Sequence, residues 1–188
     1  ISGNESEERT IRAISGSRIL VDALAYDHLT LSSDQSVHIA NLTRNIILGS
    51  EASVTSQRGH VMFMHNPNVH ISYAHFQRLG RTDKSIEIDD PVVDENWKLV
   101  RGTGTNPRAR YAVHFHRTGT VADGNPATVR GSVVTDNAGW GFVNHSSYVD
   151  FTSNAAYDVL GAGFVTEVGD EIGSFKDNIA INIRASGD

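Results

Sequence analysis

Apolar and polar residues in this chain alternate over short runs, and no helical period is held for long. Strand-like runs recur at residues 18–22, 45–48, 60–65, 69–72, 111–116 and 163–166, separated by Gly, Asn, Asp and Ser. That pattern predicts an all-β protein. A repeat then selects among all-β architectures. Gly139-Trp-Gly-Phe-Val143 returns as Gly161-Ala-Gly-Phe-Val165, an offset of 22 residues, and Asp136 meets Asp158 at the same offset. A period of this length is one coil of a β-solenoid, in which each coil buries its inward side chains against the next. The chain therefore reads as a right-handed parallel β-helix. Asn154 and Asn178 are placed at its corners, where a left-handed backbone is needed.

Two regions depart from the repeat. Residues 1–40 read as a small N-terminal β element or cap, turning at Ser15-Gly16-Ser17. The rungs occupy 41–188, with a long loop insertion at about 80–110 that is rich in Asp, Pro, Gly and Asn. Insertions of this kind gather on one face of a solenoid, often the binding face.

Nine histidines are present, and several fall in register. The segments 60–65, 111–116, 140–145 and 162–167 align so that their last positions read His65, His116, His145, Glu167. Alternation then directs Met62, Val113, Phe142 and Phe164 inward, with Met64 and Phe115, and turns the histidine column outward. His114 shares the face of His116. Strands stacked ~4.8 Å apart let imidazoles of adjacent rungs converge on one ion. Three His and a carboxylate suit a divalent transition metal, zinc above all, better than calcium or magnesium. Two other readings stay open: a metal-free proton-transfer cluster of His114, His116, His145 and Glu167, and a structural ladder.

Charge narrows the partners. The net charge is −6, from 16 Lys+Arg against 22 Asp+Glu, which disfavours nucleic acid and anionic membranes. Thirteen of the cations are Arg, suited to bidentate contacts with carboxylates of a ligand or of the chain itself. Arg108 and Arg110, just before the histidine strand, are candidates to grip a substrate carboxylate, and Asp83 and Lys84 to serve the same face. Glu167, Asp170 and Glu171 form an acidic turn. His75 reads as structural, and His28 and His38 lie outside the column. There is no cysteine, hence no disulfide or thiolate site. No run is long enough for membrane insertion, and no phosphate loop, dinucleotide fingerprint or nucleophile elbow is present. The abrupt start at Ile1 reads as a cut from a larger multidomain chain.

Three stretches carry a resemblance: Asn41-Leu-Thr-Arg-Asn-Ile46, Arg58-Gly-His-Val-Met-Phe-Met-His65, and 104–119 with its Arg-Tyr-x-x-His-Phe-His core. They resemble the parallel β-helix region that follows the eight-glycine domain in the cell-surface hyaluronidase and cell-migration-inducing hyaluronan-binding protein family. Secreted bacterial proteins carry similar regions. The resemblance implies that His114/His116, His145 and Glu167 stand where the family has His-x-His, His and a Leu-Glu-Asp-like segment; Val168 departs from that pattern. It also implies an extracellular or cell-surface location and an acidic, hyaluronan-like polysaccharide as ligand. Two functions follow as expectations. One is a carbohydrate-active domain, a polysaccharide hydrolase or lyase. The other is a non-enzymatic structural or adhesive module with a structural metal.

Overall fold

The computed structural model describes residues 5–29, 36–122 and 124–185. His38 falls among these; Asp123 does not. The chain divides into two compact units, 1–40 and 41–188.

In the first unit, β1 (Ile11–Ser15) and β2 (Arg18–Val21) form an antiparallel hairpin. Gly16 turns it with φ +57°, a left-handed conformation that glycine adopts without a Cβ penalty. Arg12 Nε meets Asp22 at 2.7 Å across the pair. The Glu7 carboxylate accepts the Ala25 N–H at 2.9 Å and lies 2.6 Å from His28 Nε2.

The second unit is a parallel β-helix with three strand columns. The first holds β4 (Met62–Met64), β7 (Val113–Gly119), the front half of β10 (Phe142–Thr152) and β12 (Phe164–Thr166). The second holds β5 (His70–Ser72), β8 (Ala127–Arg130), the rear half of β10 and β13 (Ile172–Lys176). The third runs β3 (Ile46–Gly49), β6 (Ala74–Gln77), β9 (Val133–Asn137), β11 (Ala155–Leu160) and β14 (Ile179–Arg184). All these pairings are parallel. Phe142 stands beside Phe164, at the offset of 22 residues that the repeat predicts.

Inward alternation builds the core. Val113, Phe115, Phe142, Val149 and Phe151 are fully or almost fully buried. Phe142 stacks on Phe164 and Phe151 on Phe175, both with ring centroids 5.0 Å apart. Burying such side chains stabilises by roughly 1.5–3 kcal/mol each. At one corner, Asn154 and Asn178 stack: Asn178 Oδ1 accepts the Asn154 N–H at 2.9 Å, and Asn154 Oδ1 accepts that of Ser132 at 2.8 Å. The left-handed residues are their predecessors, Ser153 (φ 56°) and Asp177 (φ 54°). The asparagines fill the corner rather than bend it.

The first rung corrects one expectation. Met62 pairs with His114, Phe63 with Phe115 and Met64 with His116. The register is one residue away from the alignment of His65 with His116. Phe63 and Val61 pack on the core, so Met62 and Met64 do not point inward with Val113 and Phe142. A one-residue slip exchanges the two faces of a strand. His65 instead takes a left-handed corner (φ 53°), as do Arg117 (φ 53°) and Ser146 (φ 46°) after their own histidines.

Between β6 and β7 the chain leaves the coil and returns over its outer face. Asn106, 2 % exposed, knits this excursion together. Its Oδ1 accepts the Asp83 N–H at 2.8 Å, and its Nδ2 donates to the carbonyls of Asp83 and Glu87 at 2.9 Å. Thr82, fully buried, donates to Pro107 O at 2.7 Å. The excursion meets the coil closely at Gly139, where a Cβ would stand 2.3 Å from Thr82 O. The leading glycine of the repeat thus admits the covering loop.

Candidate metal centre

Three successive rungs deliver the cluster. β7 carries His114 and His116, β10 carries His145, and Glu167 follows β12 directly. His145 pairs with His116, and Glu167 N–H continues the ladder to Asn144 O at 3.0 Å. Side chains at these positions leave the core face as alternation requires. The excursion closes them off in part, with Ala109 O accepting from His114 Nδ1 at 3.1 Å. His114 is 0 % exposed, and His145 and Glu167 are half-buried.

The distances are short. His145 Nδ1 lies 2.9 Å and His114 Nε2 3.5 Å from the same oxygen, Glu167 Oε2. The His116 ring centroid is 4.4 Å from that of His145 and 5.3 Å from that of His114. One ligand atom each from His114, His145 and Glu167 fall within 4.8 Å of one another. Donors around a tetrahedral ion with bonds of about 2.0–2.1 Å stand about 3.3 Å apart, so small side-chain adjustments close this set on an ion.

Protonation sharpens the case. His114 Nδ1 lies 3.1 Å from Ala109 O. A carbonyl only accepts, so Nδ1 donates to it and Nε2 is the ring atom that faces Glu167. That Nε2 is buried and makes no hydrogen bond, and His116 Nδ1 is in the same position. Burial disfavours the charged form of Glu167, but the histidine contacts outweigh it and hold its carboxyl down to about 2. The buried Nε2 and the Glu167 carboxylate thus converge on one place, where a proton or a cation between them satisfies both. Desolvation, then the charges of His145 and His114, lowers the His116 pKa and favours its neutral, ligating form. The donor set fits a transition metal such as zinc.

The family model described as CEMIP beta-helix matches residues 99–187. Over that span the chain is similar to that family. No curated protein and no solved structure matches the chain. The matched span contains His114, His116, His145 and Glu167, together with Arg108 and Arg110; His65, Asp83 and Lys84 precede it.

The remaining predicted residues divide. His65 stands at the corner beyond Met64, outside the cluster. Arg108 is spent on Asp90, through its guanidinium and through its N–H at 2.9 Å. Asp83 closes its own turn, accepting the Ser85 N–H at 2.8 Å and its hydroxyl at 2.5 Å. Lys84 does approach the cluster: its Nζ sits 3.7 Å from the Trp140 ring centre, and the Glu167 charge reaches it. Burial is the larger effect there and lowers its pKa. The Arg110 guanidinium donates to Arg108 O at 3.1 Å.

Three further side chains contribute to the site. Tyr111, 1 % exposed, and Trp140 wall the site, with ring centroids 4.9 Å apart. Their place two residues before the paired strand residues Val113 and Phe142 was the available signal. Glu171, expected only as part of an acidic turn, accepts the N–H groups of Glu167, Val168 and Gly169 at 3.0, 2.7 and 2.7 Å. It fixes the backbone that presents Glu167.

Proposed function

We propose that residues 41–188 form an extracellular or cell-surface domain that acts on an acidic, hyaluronan-like polysaccharide through this covered face. The observation that carries the reading is the buried His114 Nε2, without a hydrogen bond and 3.5 Å from Glu167 Oε2, with His145 and His116 beside it. His114, His145 and Glu167 hold a divalent transition metal, zinc by its donor set, with His116 as neighbour or further ligand. When bound, the ion supplies Lewis acidity toward a uronate carboxylate or a water molecule. Glu167 stays ionised and orients His145 through the 2.9 Å contact. His116, neutral at neutral pH, accepts a proton at its buried Nδ1. Tyr111 and Trp140 shield the centre from bulk water, and Lys84 adds a positive charge beside it.

The test is incubation of the zinc-supplied protein with hyaluronan and other uronate polysaccharides, followed by product sizing and ultraviolet absorbance. Chain shortening that falls at least a hundredfold in His145→Ala and Glu167→Gln supports an enzyme. Unsaturated ends distinguish elimination from hydrolysis.

A second reading has its own support, because the ligands come from three consecutive rungs and an ion there staples them. In that case the domain is a structural or adhesive module. The same two variants then lose melting temperature and metal together, while the wild type cleaves nothing across the panel.

A further inference from the structure

Beside the metal centre lies a second cluster that is cationic and lacks an acidic partner. Arg81 leaves the excursion where it starts, and Arg110 where it ends. The two are joined through the backbone, with Arg81 N–H donating to Arg110 O at 2.8 Å. Thr82 reinforces the joint by accepting the Arg110 N–H at 2.8 Å on its hydroxyl. Arg81 Nη1 donates to His60 Nδ1 at 3.2 Å. That bond fixes His60 as the neutral tautomer with its proton on Nε2, leaving an N–H donor.

All three side chains are half-buried, so a ligand can reach them and water screens them only in part. Carboxylate partners occupy Arg9, Arg12, Arg58, Arg78, Arg108 and Arg184. Half-buried Arg44 is spent on the carbonyls of Gly131, Asn41 and Thr43. Among the described residues, Arg81 and Arg110 have no acidic partner within 4.0 Å, in a chain whose net charge is −6. Arg110 Nη1 meets only Arg108 O at 3.1 Å, and Arg81 adds only Arg58 O at 3.4 Å. Asp90, whose charge Arg110 feels, is already taken by Arg108.

An unpaired guanidinium half out of water is costly, and two joined ones cost more, unless an anion completes them. Burial, then the charges of Arg81 and Arg110, pushes the His60 pKa down to about 4. His114 N–H donates to Val61 O at 3.0 Å, next to His60, so the cluster borders the metal centre.

We infer that Arg81, Arg110 and the Nε2–H of His60 form a carboxylate subsite, which seats one uronate of the polysaccharide while a neighbouring sugar lies at the His114–His145–Glu167 centre. The inference rests on the acidic-polysaccharide reading above. Two planar guanidinium forks suit a carboxylate bound through both oxygens. The subsite sets selectivity for acidic over neutral chains. It replaces Arg108 as the carboxylate-gripping partner of Arg110.

The test is calorimetric titration of the zinc-supplied protein with a hyaluronan octasaccharide and with its carboxyl-reduced counterpart. The wild type is expected to prefer the acidic form at least tenfold. Arg81→Met and Arg110→Met should each bring the two affinities within about twofold of each other. The exposed control Arg130→Met should keep the wild-type ratio. If a methionine variant does not fold, Arg81→Lys and Arg110→Lys keep the charge and lose the fork, and should lower the preference at least threefold. A wild-type preference that survives in every Arg81 and Arg110 variant would overturn the subsite and leave the polysaccharide reading standing. A wild type that binds neither octasaccharide, or both equally, would overturn that reading and the subsite with it.

Discussion

The stacked coils and the excursion between β6 and β7 are built by different rules. In the coils each residue's surroundings repeat one rung later, so burial follows from alternation and from the offset of 22 residues. In the excursion no strand ladder recurs. Its backbone is held by individual polar residues, Asn106 and Thr82 above all. The coils place His114, His116, His145 and Glu167 in line. The excursion then converts an outer face into an interior, and that conversion makes the line chemically unusual. An exposed ladder of histidines and one glutamate would be solvated; under cover, His114, His145 and Glu167 converge as a group that could hold a metal ion.

The largest effect expected from breaking this contrast is in the coil. Phe142→Ala removes a ring stacked on Phe164 and should cost about 3–5 kcal/mol, read as a cooperative loss of the whole β-helix in urea melts. Asn106→Ala strands backbone groups of the excursion and should cost about 2–4 kcal/mol, but locally. Hydrogen exchange should rise at residues 82–90 and 106–114 while β9 and β11 stay protected. Equal exposure of both regions would erase the distinction.

Acid should act next, in two windows, measured as melting temperature against pH with a chelator present. Glu167 has its pKa lowered from 4.5 to about 2, so its contribution is full above 4.5 and is lost as pH falls toward 2. His60 is lowered from 6.5 to about 4, so the neutral ring favours the fold above 6.5 and that gain is lost as pH falls toward 4. Both slopes therefore point the same way, stability decreasing with acid. Glu167→Gln should flatten the lower window and His60→Gln the upper one. The smallest effect belongs to His65→Ala, which should leave metal content unchanged and stability within about 0.5 kcal/mol, because His65 lies at a corner beyond Met64.

The sequence carried the coils well and the cover poorly, for physical reasons. The pair Gly139–Val143 and Gly161–Val165 revealed the register of β10 on β12, because one rung follows another with nothing between. β4 and β7 are separated by the excursion, so no offset was visible there. Two matching apolar alternations then fit equally well one residue apart, and His65 was aligned where Met64 stands. His114 was read as outward-facing, which its parity supports; its burial comes from a loop that no periodicity describes. Arg108 illustrates the same gap: a free arginine and one claimed by Asp90 look alike until the excursion closes. Glu171 was legible as acidic but not as the acceptor of three consecutive N–H groups.

The central claim is that the covered face holds an ion between His114, His145 and Glu167. Elemental analysis of tag-free protein, after zinc soaking and exhaustive dialysis, tests it most directly. About one equivalent of transition metal in the wild type and in His65→Ala, lost in His114→Ala, His145→Ala and Glu167→Gln, is the predicted result. A metal-free wild type, or metal retained in folded His145→Ala and Glu167→Gln, would contradict it.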